Sequence, residues 1–307
     1  MQIYKLSDVI NVFLPTNPNK NTRATYGYSL GKMLDYVGNR PIKDITPFDL
    51  MGYISNLTKK DGSPLSPHSV NKEIKTCRVF FNWCVKANLI TTSPMSAVAY
   101  HPTPRRIDRS KSMPDDDLTK ILTTLREMRM WREYALIMFL ADTGCRAGGV
   151  AGLKIKDINF TTKTAHVTEK GDKQRVVAFG DETATALSRW LRLRVSFTDL
   201  VFQKGKRSFT SEAVGMMVRR CCLLAGVTPR QSHSLRHRKG HQLADAGIAP
   251  TVAATALGHD SILTTLNSYY PKDDERALRA LRGLSIGEDT IPKKDNITPF
   301  PSTKKAN

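Results

Sequence analysis

Residues 233–270 read HSLRHRKGHQLADAGIAPTVAATALGHDSILTTLNSYY, setting four imidazoles, two guanidinium groups and two phenols among ordinary helical apolar residues. His233 and Arg236 are three apart, so on a helix they share a face and can hold one small anion between them. Gly258 offers a helix end just ahead of His259, and Tyr269 and Tyr270 precede Pro271, where a further helical turn must stop. A phenol beside a cationic cluster points to attack on a phosphate. Guanidinium donors match its oxygens in pairs, imidazoles exchange protons near neutrality, and a phenol can become a covalent nucleophile. His233, His237 and His241 also recur every four residues, as metal ligands on a helix do. A zinc helix of the HExxH kind needs Glu after the first His, where this chain has Ser234, and no acidic or cysteine ligand is suitably placed. The expectation is therefore no metal and no cofactor, with His237 and His241 structural or adjacent to the phosphate.

The 307 residues outside and around that stretch suffice for about two domains. No run approaches the roughly 18 apolar residues of a membrane span, and the start, MQIYKLSDVINVFLP, lacks the features of a secretory signal. A soluble, cytoplasmic protein is expected. Five cysteines, odd in number and without CxxC spacing, favour buried reduced thiols over disulfides or zinc. Lys and Arg exceed Asp and Glu by 47 to 28, a net +19 spread along the chain, which calls for a polyanionic partner. Membrane-surface binding would need a basic amphipathic helix or a lipidation motif, and neither stands out.

Residues 1 to about 100 read as a compact helical domain. Thr25 to Gly38 puts Tyr26, Leu30, Met33, Leu34 and Val37 on one face, with Gly38 as a stop. Thr46, Pro47 and Asp49 form a helix start, and Ser66-Pro67 repeats the signal. The helix opened by Ser66 buries Val70, Ile74, Cys77, Phe81 and Val85, leaving Lys72, Lys75, Arg78, Asn82 and Lys86 on the opposite face as candidate DNA contacts. Residues 91–112 turn rich in Pro, Ser and basic side chains, a linker in which Arg105, Arg106, Arg109 and Lys111 could follow phosphates. As a domain boundary, the linker proper is 101–112.

A second domain opens at Pro114 with the acidic turn Asp115 to Asp117 and an apolar helix through Tyr134 to Ala141. Arg146 follows directly in ADTGCRAGGVAGLKIKDINF. An arginine there is either satisfied at depth or aimed into a cleft, and buried arginines need an anion. Short strands are expected between Ile158 and Phe179, with Lys170 at the hairpin tip, where lysines are usually inert. Helices return at 182–194, 211–225 and 273–284, the last presenting Leu278, Leu281 and Leu284, and a polar tail covers 286–307. No GxxxxGK loop supports nucleotide hydrolysis.

Taken in order, TGCRAGGVAGLKIKDI, EKGDKQRVV, HSLRH and LGHDSILTTLNSYY resemble the tyrosine recombinase (phage integrase) family along nearly the whole chain. The resemblance implies a fold that is mainly α with a small β-sheet. An α-helical, SAM-like core-binding domain would occupy 1–100 and a mixed α/β catalytic domain 113–285. It implies that Tyr269 attacks a phosphodiester to give a 3′-phosphotyrosyl link, with Arg146 and Arg236 on the nonbridging oxygens. Lys170 would protonate the 5′-oxygen, His233 assist proton transfer and His259 bond the phosphate. Double-stranded DNA with paired inverted half-sites, a homotetramer, accessory DNA-bending proteins, and a phage or other mobile element belong to the same implication. So does nucleoid association when bound.

The chain departs from the family in two places. Where many members carry an acid three positions after the first arginine, Gly149 stands here, and the residue nine positions after His259 is Ser268, so the nucleophile falls to Tyr269 at ten, with Tyr270 as the local alternative. A type IB topoisomerase-like relaxing enzyme, or a DNA-binding regulator with a weakened site, are the other readings.

Overall fold

Capping chemistry sets the ends of the first helices. In the computed structural model, which describes residues 4–103, 107–169, 171–195, 198–205 and 207–270, α1 (Leu6–Phe13) buries Leu6, Val9, Ile10 and Phe13 at helical spacing. Helix α2 (Lys20–Val37) begins where the Asn19 side chain accepts from the Thr22 N–H at 3.0 Å, and ends at Gly38 with φ +80°. It starts a turn earlier than the sequence suggested because Asn19 caps it. In α3 (Pro47–Ser55) Thr46 and Asp49 close a reciprocal capping box. The Ser66 hydroxyl accepts from the Ser69 N–H to open α4 (Pro67–Lys86). Phe13 meets the rings of Phe80 and Trp83 at 5.3 and 5.4 Å, the centre of this unit's core.

The described residues fall into two compact units, divided between residues 105 and 106. The polar composition of 91–112 understates how much of it packs. Met95 and Val98, three apart around the 3-10 turn Pro94–Ala97, are buried in the first unit's core. Two apolar side chains at that spacing outweigh the surrounding Ser and Pro.

In the second unit α5 (Asp115–Glu127) begins with three aspartates in its first turn, and α6 (Trp131–Thr143) ends at Gly144 in the left-handed conformation. A short α7 (Ala147–Ala151) leads to β1 (Ile158–Asn159), β2 (Thr164–Glu169) and β3 (Lys173–Ala178), an antiparallel sheet in that order with Glu169 opposite Lys173. Then follow α8 (Asp181–Leu193), the two-residue strands β4 (Gln203–Lys204) and β5 (Arg207–Ser208), and α9 (Ser211–Leu224). The last described helices are α10 (His233–Asp245), α11 (Pro250–Leu257) and α12 (Ile262–Tyr269). Leu136, Phe139, Val150, Val167, Val177 and Leu187 lie in one core that joins helices to sheet. The architecture is mainly α with a small β-sheet, as the sequence implied.

All five cysteines are buried free thiols. Among the described residues no helix is long and apolar enough to cross a membrane. Lys170, Arg105, Arg106, the helix expected at 273–284 and the tail at 286–307 lie outside the described residues.

Candidate active site

Arg146 gets its place from two turns. The left-handed Gly144 stops α6, and Arg146 then serves as the extended N-cap residue of α7, so its side chain leaves the helix start rather than a helix face. Its backbone N–H donates to Glu169 Oε1 at 2.7 Å, its Nη1 pairs with Glu169 Oε2, and its Nη2 donates to the Gly258 carbonyl at 3.1 Å. Arg175 on β3 joins the same carboxylate, donating to Glu169 Oε1 at 3.1 Å and to the Ala256 carbonyl at 2.6 Å. Burial pushes the Glu169 carboxyl up, but the Arg146 N–H and the two guanidiniums outweigh it and hold the group below its usual value.

Helix α10 supplies the next layer. Arg236 is only 1% exposed, and one Nη donates to the Gly144 carbonyl at 2.9 Å. Its other Nη is buried with no hydrogen-bond partner among the described residues. Burial, then the neighbouring Arg146, pulls this guanidinium down to about 10. His233 and His237, one turn apart, meet edge to face at 4.6 Å.

Tyr269, the last residue of α12, closes the cluster. Its ring lies 5.2 Å from His241, 5.8 Å from His237 and 6.1 Å from His259, the last nearly parallel. It can approach α10 this closely because residue 240 is glycine: a Cβ there would stand 2.4 Å from the Tyr269 ring. The phenol is 2% exposed, and burial raises its pKa although Arg236 and Arg146 pull the other way. His259 follows the left-handed Gly258, and its Nδ1 lies 2.6 Å from the Thr265 hydroxyl. Desolvation first, and Arg236 and Arg146 after it, bring His259 down to about 4; desolvation and the neighbouring imidazoles of His233 and His241 do the same to His237. Desolvation and the same two arginines lower His233 as well. The histidines are therefore neutral at pH 7, leaving the positive charge to the arginines.

Five of the six candidate catalytic residues, Arg146, His233, Arg236, His259 and Tyr269, thus belong to one cluster, while the sixth, Lys170, follows Glu169 outside the described residues. Tyr270 points elsewhere, its hydroxyl donating to the Ile248 carbonyl at 2.6 Å. Glu169, Arg175, Gly240 and Thr265 are the residues that sequence reasoning passed over. A signal existed for the first: Glu169 alternates in step with the buried Ala165 and Val167, so a carboxylate is turned inward and needs a cation. Of the candidate DNA contacts on α4, Lys72, Lys75, Asn82 and Lys86 are exposed, whereas Arg78 is half-buried, donates to the Val98 carbonyl at 2.5 Å and lies over the Tyr100 ring. Arg109 is bound bidentately by Asp245 at 3.0 and 2.6 Å, which engages two of its five N–H donors.

Residues 111–276, more than half of the chain, match the model of the phage integrase family. The chain belongs to the phage integrase family. As a tyrosine recombinase it is a DNA-binding enzyme of strand transfer in site-specific recombination, and the topoisomerase-like and regulatory readings are not favoured. The tyrosine recombinase XerC of Corynebacterium glutamicum is 31% identical over 169 residues, 53% of this chain and 54% of that protein, so the match spans about half of that relative. XerC of Corynebacterium efficiens is 27% identical over 247 residues, 78% of this chain and 79% of its own length. Among solved structures, the Tn1549 transposon integrase in complex with transposon right end DNA superposes with a TM-score of 0.76. At 18% identity, covering 92% of this chain and 99% of that one, it shows that this recombinase shares the integrase fold.

Proposed function

We propose that this recombinase cuts duplex DNA by attack of Tyr269 on the scissile phosphodiester. The new bond joins Tyr269 Oη to phosphorus as the phosphorus–O5′ bond breaks, leaving a 3′-phosphotyrosyl link and a 5′-hydroxyl. A neutral imidazole, that of His233, takes the phenolic proton, and the Lys170 ammonium gives one to the departing 5′-oxygen. Arg146 and Arg236 neutralise the charge that builds on the nonbridging oxygens, each well-placed donor contributing on the order of 3 kcal/mol. In the tautomer this mechanism assigns to His259, Nδ1 accepts from the Thr265 hydroxyl 2.6 Å away and Nε2–H serves the phosphate. Attack by the 5′-hydroxyl of a partner strand reverses the chemistry, so the bond energy is kept and no nucleotide is consumed.

The observation that carries this reading is the burial of Tyr269 in the arginine cluster, with the imidazoles of His237, His241 and His259 around its ring. The first unit is proposed as the helical DNA-binding domain, contacting DNA through Lys72, Lys75, Arg78, Asn82 and Lys86, with Arg105 and Arg106 following the backbone. The partner is DNA with paired inverted half-sites, on which four copies assemble, aided by DNA-bending proteins. Integration or excision of a phage or other mobile element, or resolution of DNA, is the setting, in the cytoplasm and on the nucleoid.

A nicked half-site, which releases its short 5′ fragment after cleavage, traps the covalent protein–DNA product. Tyr269→Phe is expected to bind this DNA as the parent does and to form no adduct. An adduct mapped to Tyr270 or Ser268 would overturn the assignment.

A further inference from the structure

The segment that presents Arg146 brings no acid of its own, because Gly149 stands three residues further on. A guanidinium that must hold one orientation nevertheless needs a carboxylate to fix its fork. In this protein one arrives from the sheet. Glu169 ends β2, its side chain is 3% exposed, and both its oxygens are engaged by Arg146. The space is consistent with an exchange of positions: a Cβ on Gly149 would lie 3.4 Å from Glu169 Cγ and 3.7 Å from Glu169 Oε1. A methyl at 149 would touch the Glu169 side chain at ordinary contact distance, so a carboxylate carried further from 149 would compete for the same space.

The reach of this carboxylate extends past Arg146. Through Oε1 it also holds Arg175, and the two guanidiniums donate to the carbonyls of Gly258 and Ala256, at the end of α11. His259 is the next residue. One acid therefore fixes a guanidinium meant for the phosphate and, through two arginines, the helix end that carries a second phosphate ligand. Arg175 fits so tightly there that a Cβ on Gly258 would come within 2.8 Å of its Cδ and Nε.

We infer that Glu169 is a positioning residue for cleavage: it takes from β2 the place of the acid missing at Gly149, and with Arg175 it sets the geometry of Arg146 and His259. This rests on the function proposed above. Glu169→Gln keeps the shape but turns an amide N–H₂ toward guanidinium donors. On the nicked half-site its cleavage is expected to slow by roughly 10- to 100-fold, the range for groups that orient others.

Two readouts separate positioning from mere support of the fold. On a half-site whose scissile phosphate is a methylphosphonate, which carries no negative charge, the guanidinium matters less, so the deficit of Glu169→Gln relative to the parent shrinks. In the double variant Glu169→Ala with Gly149→Asp, the carboxylate returns from the other side, and both thermal melting and cleavage recover to within about tenfold of the parent rate. The inference is overturned if Glu169→Gln cleaves as fast as the parent, if its deficit is the same on both substrates, or if the double variant recovers neither folding nor cleavage. A parent protein that forms no adduct at all would instead defeat the proposed function and would show itself before any variant is compared.

Discussion

Three histidines, His233, His237 and His259, are held neutral by burial first and by neighbouring cationic groups second, and this has a measurable thermodynamic sign. Their folded pKa values are depressed, to about 4 for His237 and His259, from an ordinary 6.5. Between those values the unfolded chain binds more protons than the folded one. Stability contributed by the neutral imidazoles is therefore complete above about pH 6.5 and is lost as the pH falls toward 4. Melting of the DNA-free protein at pH 7.5, 6.0 and 5.0 should show Tm falling across that range, and less steeply in His237→Gln and His259→Gln. Parallel curves for parent and variants would mean that neither imidazole is kept neutral by its surroundings.

Helices α10 and α12 meet through one missing side chain. Gly240 lets the Tyr269 ring lie on the α10 backbone, so Gly240→Ala must displace the ring. Overpacking of this kind costs about 1–3 kcal/mol. Chemical denaturation of Gly240→Ala, Tyr269→Ala and the pair is expected to give a coupling of similar size, about 1–3 kcal/mol, because the methyl does no harm once the ring is gone. Additive losses would show that the two residues do not touch in solution. Much of the site was legible at this level. His233 with Arg236, Gly258 before His259, and Tyr269 before Pro271 are all local spacings that a helix converts directly into geometry. What escaped depends on pairing between elements. Glu169 under Arg146, Arg175 on the Ala256 carbonyl and Gly240 under Tyr269 join segments 23, 81 and 29 residues apart, and such packing is contained in no single window of sequence. Arg78 escaped for the same reason, because its partners Val98 and Tyr100 come from a stretch whose composition reads as linker.

A net charge of +19 makes DNA affinity a matter of released counterions for the chain as a whole. If α4 faces DNA, replacing Lys72, Lys75 and Lys86 by Ala should lower the slope of log K against log salt by roughly 0.9 for each lysine that had neutralised a phosphate, without altering site preference. A slope that does not change would place the DNA on another face of the first unit. The buried, half-satisfied guanidinium of Arg236 bears on the entire fold in a different way. An unmatched buried donor costs about 1–3 kcal/mol, a sizeable part of a domain's net stability of about 5–15 kcal/mol. On the role proposed for Arg236, heat resistance and strand transfer make opposite demands on its unmatched Nη, though its other Nη serves the fold by holding the Gly144 carbonyl. On that proposal, a laboratory selection that rewards survival at high temperature, and never asks for recombinant product, would favour replacements at 236 that still satisfy the Gly144 carbonyl, and would lose the reaction along with the charge.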